Sequence, residues 1–248
     1  MTLPNPPSPR PVAAPLGLSL AIVVAIGLVE AALAHIAFAT PPDIALGVVQ
    51  KIFYFHVASA FAMLLFLVLG AGLSAIDLVA PSDRADAGAR GALEVGALFG
   101  AILLVTGPLW ARKSWGTWWT FEPRLTLSLL VELLALAVLM LRGLSSDAQL
   151  GRRAGAAMAV MAAPISLLIH LAVKLWGGNH PSVLQGGGVQ SAAMRISFWL
   201  AVAGVLTLAS ALLALRYQQL RLDQRHRELE LTFAAWQLRR TRTAGESS

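Results

Sequence analysis

The sequence predicts an all-α, polytopic membrane protein with six transmembrane helices, and three observations carry that expectation. Of its 248 residues, 57% are hydrophobic and only 13% charged, against about 25% charged in an ordinary soluble domain. Six separate apolar stretches approach or exceed the roughly 20 residues that helix needs to cross the hydrocarbon core. The charged residues fall mostly in the connections between those stretches and in a C-terminal tail.

Composition also excludes several functions. The chain has no cysteine, which rules out disulfides, thiolate metal sites and haem attached through a C-x-x-C-H motif. Metal or haem chemistry must then use His, Met, Tyr or carboxylate. The formal net charge is +6, but no basic soluble domain carries it, so no nucleic-acid partner is expected. In so apolar a chain a basic excess reflects Lys and Arg in cytoplasmic segments that set topology.

Taken in order, residues 1–15 form a tail with six prolines, which cannot make a helix or bury a core and is expected to be disordered. The apolar run behind it is too long for a cleaved signal peptide. The spans follow at 16–39, 53–79, 91–110, 125–142, 154–176 and 196–215, making 16–215 one membrane domain. The second is long enough to tilt. The third carries Glu94 near its start. Residues 216–248 form an amphipathic tail in which Leu215, Leu222, Leu229 and Trp236 recur every seven residues. That tail is expected either to lie on the inner membrane face or to dock on a cytoplasmic partner. Gly186, Gly187 and Gly188 read as a loop hinge, because no strand and helix flank them as in a phosphate cradle.

Six spans place both termini on one side, together with thirteen of the nineteen Lys and Arg residues. Both termini are therefore expected in the cytoplasm. Half of the six basic residues on the other side, Arg112, Lys113 and Arg124, fall in one loop, 111–124. The same topology gathers four of the five histidines, His35, His56, His170 and His180, toward that outer face, leaving only His226 inside.

The loop 111–124 holds Trp115, Trp118, Trp119 and Phe121 within seven residues, with Gly116 and the three basic side chains. An interfacial aromatic belt explains one or two tryptophans at a helix end. A compact cluster flanked by positive charge also suits a flat apolar ligand edged with negative charge, with ring faces to stack on it and guanidinium to pair with its carboxylates. Haem has that form, and neutral imidazoles ligate its iron. A quinone or another flat amphiphile remains an alternative on these grounds.

Three segments add a resemblance. Trp115 to Thr126, WGTWWTFEPRLT, resembles the tryptophan-rich "WWD" signature of haem-handling proteins of cytochrome c maturation, approximately WGxWWxWDxRLT. Lys51 to Val57, KIFYFHV, looks like that family's Y-x-H-V start of the second span. His170 to His180, HLAVKLWGGNH, looks like its exit from the fifth span into a histidine-bearing outer loop. Six spans in this length are similar to the CcmC family, haem exporter protein C of the System I pathway, rather than to the larger CcmF and CcsA. The resemblance implies haem b on the periplasmic side of the inner membrane, with His56 and His180 as axial ligands. Trp115, Trp118, Trp119 and Phe121 would form the platform. It implies delivery of haem to the chaperone CcmE within a complex containing CcmA, CcmB and CcmD, and a handling and transfer protein rather than an enzyme. A role in promoting haem attachment to the chaperone stays open.

The match has departures. Phe121 stands where the motif has its last Trp, and Glu122 where it has Asp. Pro123 suits the first turn of the fourth span. Arg124 is expected to meet a haem propionate, with an interfacial arginine or a salt bridge to Glu122 as the competing role. Arg112 and Lys113 would serve a propionate or lipid phosphate. His170 and His35 are expected to be buried polar contacts, His35 with Glu30 as a neighbour. Two other functions stay open: a membrane redox subunit, quinone-linked or of b-type cytochrome kind, and a transmembrane haem channel.

Overall fold

In the computed structural model, which describes residues 16–180, 189 and 191–245, the chain is a bundle of helices with a single isolated bridge, Asp43 to Gly47. The proline-rich start and the Gly186 to Gly188 hinge lie outside the described residues. Helix α1 (Leu16–Ala34) ends in one π-helical turn, His35–Ala39, and a short 3₁₀ turn, Val48–Lys51, leads into α2 (Ile52–Val79). There follow α3 (Asp83–Trp115), α4 (Pro123–Leu144), the pair α5 (Ala148–Val160) and α6 (Ala162–Trp176), and α7 (Ala192–Gly245).

With α5 and α6 joined, six helices are long and apolar enough to cross a membrane, from Leu16–Ala39 to Ala192–Leu238. The α5–α6 break has a local cause. Pro164 has no N–H to offer the carbonyl of Val160, and the backbone tightens just before it, where the Met161 amide bonds to the Met158 carbonyl at 3.1 Å. On α1, Leu20, Val23, Val24 and Ile26 are exposed. Lipid tails are as apolar as these side chains, so in a bilayer they need no protein cover.

Small residues let the helices approach closely. A Cβ on Gly96 of α3 would sit 3.1 Å from the Leu67 amide nitrogen of α2. One on Gly204 of α7 would meet the Val29 nitrogen of α1 at the same distance. Membrane helices associate through such contacts, since lipid supplies no hydrophobic drive between them. The core they enclose centres on α2, with Tyr54, Met63 and Leu67 fully buried against Leu93 of α3, Val131 of α4 and Phe198 of α7.

One end of the bundle is held by ion pairs. Arg152 of α5 reaches Asp77 of α2 through two bonds, 2.8 and 2.5 Å, and Asp83 of α3 at 2.8 Å. Arg142 of α4 pairs with Asp86, and Arg216 of α7 pairs with Glu94, which also takes Arg90 at 3.0 Å. These basic residues belong to the majority side of the sequence count. The opposite end carries the aromatic segment.

Two boundaries differ from expectation. Helix α3 starts at Asp83 and runs through Trp115 to a left-handed Gly116 (φ 74°). The non-helical part of the loop 111–124 is therefore only 116–122. Hydropathy ends where Arg112 and Lys113 begin, but a helix can continue with charged side chains once it reaches the membrane surface. The second boundary lies after Leu215, where α7 shows no break. An unbroken 54-residue helix is about 81 Å long against about 30 Å of hydrocarbon, so its C-terminal part projects from the bundle. Its first turns beyond the span pack on α3, where Leu220 is buried and Gln224 Nε2 donates to the Asp83 carbonyl at 3.2 Å.

Candidate functional site

At the aromatic end, α2, α3, α4 and α6 enclose a cavity of about 330 Å³, within the range of small-molecule sites. Its walls are mostly apolar, including Phe61, Leu64, Leu103 and Ile169. His56, His180, Trp115, Trp118, Trp119 and Arg124 all line it. Six of the seven residues singled out in the sequence are thereby brought together.

The two imidazoles stand close together in the wall of this space. Their ring centroids are 6.5 Å apart and their planes 30° from parallel. An imidazole nitrogen binds a divalent metal at about 2.0 Å, and the ring centroid lies about 1.1 Å beyond. Two imidazoles on opposite sides of one iron therefore have centroids about 6.2 Å apart. Among the described residues, no group of three or more His, Cys, Asp or Glu gathers to hold a metal ion. A metal between His56 and His180 must bring its remaining ligands with it, as the iron of a porphyrin does.

Each histidine is held differently. His56 sits one turn into α2, and its Nδ1 lies 2.9 Å from Thr106 Oγ1 on α3. Gly107 makes room for it: a Cβ there would lie 3.2 Å from His56 Cε1. His180 stands on the segment after α6, beyond Gly177 (φ 74°) and Gly178 (φ 140°). Glu122 steadies that segment, since its Oε2 accepts the Asn179 amide at 2.8 Å. A Cβ on Gly178 would approach that carboxylate oxygen to 2.9 Å. The acid of the aromatic motif thus binds the chain next to His180. It makes no salt bridge with Arg124, whose Nη1 lies instead 3.5 Å from His180 Nδ1.

The aromatic rings divide into wall and rim. Trp115 meets His180 edge-on at 6.2 Å and Trp110 at 5.5 Å. Trp119 is half-buried, whereas Trp118 is exposed and has the Arg112 guanidinium 5.9 Å over its ring. The Arg112 guanidinium also donates to the Gly116 carbonyl, which ties down the turn. Phe121 does not reach the cavity and is 85% exposed.

Sequence reasoning missed several lining residues. Trp110 lies one helical turn before the segment that carries the motif, and its Nε1 donates to Gln50 Oε1 at 3.1 Å. Its spacing of four from Thr106 on one helix face was the available signal. Lys174 and His170 also line the cavity. His170 is exposed rather than buried: it is displaced one position around α6 from Ile169, which is the residue turned into the core. His35 does make a polar contact, but with Ser197 Oγ at 2.8 Å. Glu30 is exposed and is not its partner.

A profile of the haem exporter protein C family matches residues 2–232. A protein named "Heme exporter protein C" from Bradyrhizobium diazoefficiens is 33% identical over 70% of this chain and 64% of its own length. Proteins of that name from Paracoccus denitrificans and Escherichia coli K12 are 30% and 29% identical. These matches cover 72% and 73% of this chain, and 76% and 74% of the relatives.

Proposed function

This chain belongs to the haem exporter protein C family, and from that premise we propose that it holds haem b between His56 and His180 and hands it to the chaperone CcmE in c-type cytochrome biogenesis. The site faces the periplasm at the inner membrane, with both termini cytoplasmic. CcmA, CcmB and CcmD are its partners in the membrane, and it works as a handling protein rather than a catalyst. The single observation that carries this reading is the 6.5 Å imidazole pair opening onto one apolar, tryptophan-walled cavity.

Haem is the cargo, and the roles of the residues follow from how they are mounted. His56, on a helix and packed against α3, is the fixed axial ligand. His180, on a segment joined to α6 through two glycines with positive φ, is the ligand that lets go when haem leaves. Trp115 and Trp119 give the porphyrin an aromatic wall, and Trp118 covers its outer edge. Arg124, in the cavity wall, meets a propionate with charge-assisted hydrogen bonds. Holding haem at the bundle's end, with one loop-borne ligand, suits release. A resident electron-transfer haem is better served by ligands on two rigid helices.

The reading is tested by transfer. Membranes containing this protein loaded with haem, mixed with haem-free CcmE, should lose haem to the chaperone at a rate that the His56→Ala and His180→Ala variants do not reach. Haem that stays with this chain while it accepts and passes electrons would support a redox subunit and overturn the delivery role.

A further inference from the structure

The Thr106 hydroxyl lies 2.9 Å from His56 Nδ1 and 2.7 Å from the carbonyl oxygen of Ile102 one turn earlier on α3. Thr106 donates its single hydroxyl proton to Ile102 in the shorter contact, and the Leu103 carbonyl at 3.3 Å is a second acceptor on the same side. With the proton so placed, the hydroxyl oxygen turns a lone pair toward His56 and acts as acceptor. His56 then donates from Nδ1. A neutral imidazole protonated at Nδ1 carries its lone pair on Nε2, the atom that is left to bind a metal.

We propose that Thr106 is a positioning residue that fixes His56 in the Nε2-ligating tautomer before haem arrives. This rests on the reading of His56 as an axial ligand and names the group that prepares it. Metal-bound histidines depend on such a partner at the far ring nitrogen, which sets ring orientation and raises ligand basicity. Gly107 completes the arrangement, because the imidazole edge lies against the bare Cα next to the hydroxyl.

Hemin titrated into the detergent-purified full chain tests this, with the visible spectrum and the midpoint potential as readouts. Thr106→Val, which keeps the shape and removes the hydroxyl, should weaken hemin binding about tenfold to a hundredfold. It should also raise the high-spin fraction and move the potential to more positive values. Thr106→Ser should restore all three readouts. Should the valine variant fail to purify as a single species, Thr106→Ala removes the same hydroxyl and carries the same expectation. Wild-type affinity, spectrum and potential in the hydroxyl-free variant would overturn the inference. A His56→Ala control separates the two claims. If that control loses hemin while Thr106→Val does not, only the role of Thr106 falls. If the control binds as wild type, the ligand assignment itself falls.

Discussion

Gly107 shows how tightly the site is specified residue by residue. A Cβ there would lie only 3.2 Å from His56 Cε1, so Gly107→Val, which adds two methyl groups beyond it, should push the imidazole out of line and abolish low-spin hemin binding. Gly107→Ala, whose Cβ would lie at 3.2 Å, should weaken binding without abolishing it. Arg124 is separable from the iron ligands by choice of probe. Arg124→Gln should reduce affinity for hemin about tenfold, the scale of one charge-assisted bond, and leave affinity for hemin dimethyl ester unchanged. Equal losses for both would show that Arg124 acts on packing rather than on propionate. Phe121→Ala should leave hemin binding at the wild-type value, because the ring lies outside the cavity. At this scale the sequence identified the residues that touch through motif spacing: His56, His180, Trp115, Trp118, Trp119 and Arg124. It did not identify Thr106, Gly107 or Trp110: a spacing of four puts Thr106 and Trp110 on one helix face, but spacing alone does not show that this face meets His56 and Gln50. His170 was misjudged for the same reason, since one position around a helix separates a core residue from an exposed one.

Among the elements, the segment 116–122 and the segment after α6 behave as one unit through the Glu122–Asn179 bond. Glu122→Ala should free the segment that bears His180 and speed hemin dissociation several-fold, as a charge-assisted bond contributes about 1.5–3 kcal/mol at full strength. Glu122→Gln, which keeps an oxygen acceptor, should retain most of the wild-type lifetime, as stopped-flow dissociation would show. At the opposite end Asp77 is 5% exposed and gripped by Arg152. Asp77→Ala removes two of the bonds that Arg152 makes but leaves Asp83 beside the guanidinium, so it should lower thermal stability in detergent by about 1.5–3 kcal/mol while the hemin spectrum of the folded fraction stays the same. Apolar length sufficed to read six spans. It could not show where helix continues past the hydrocarbon, as α3 does to Trp115 and α7 does to Gly245, because charged side chains are compatible with helix once they leave lipid. Pro164 marked the interruption between α5 and α6, where a sequence reading saw one continuous span.

As a whole the molecule is polarised. Ion pairs linking α2, α3, α4, α5 and α7 close one end, and an apolar cavity faces the other. The uneven distribution of Lys and Arg follows this division, which is why hydropathy and charge alone placed four of the five histidines and the tryptophans of the loop 111–124 at a common end. They could not bring the two imidazoles within 6.5 Å of each other, because that depends on the packing of α2 against α3 and on the turn after α6. The proposed haem site depends on that pair of imidazoles. The most direct measurement is the low-temperature electron paramagnetic resonance spectrum of ferric haem bound to the wild type and to His56→Ala and His180→Ala. The wild type should give a low-spin bis-imidazole signal, and each single variant should convert to high spin or lose its haem. Persistence of the wild-type low-spin signal in either variant would mean that its imidazole is not on the iron and would contradict the account.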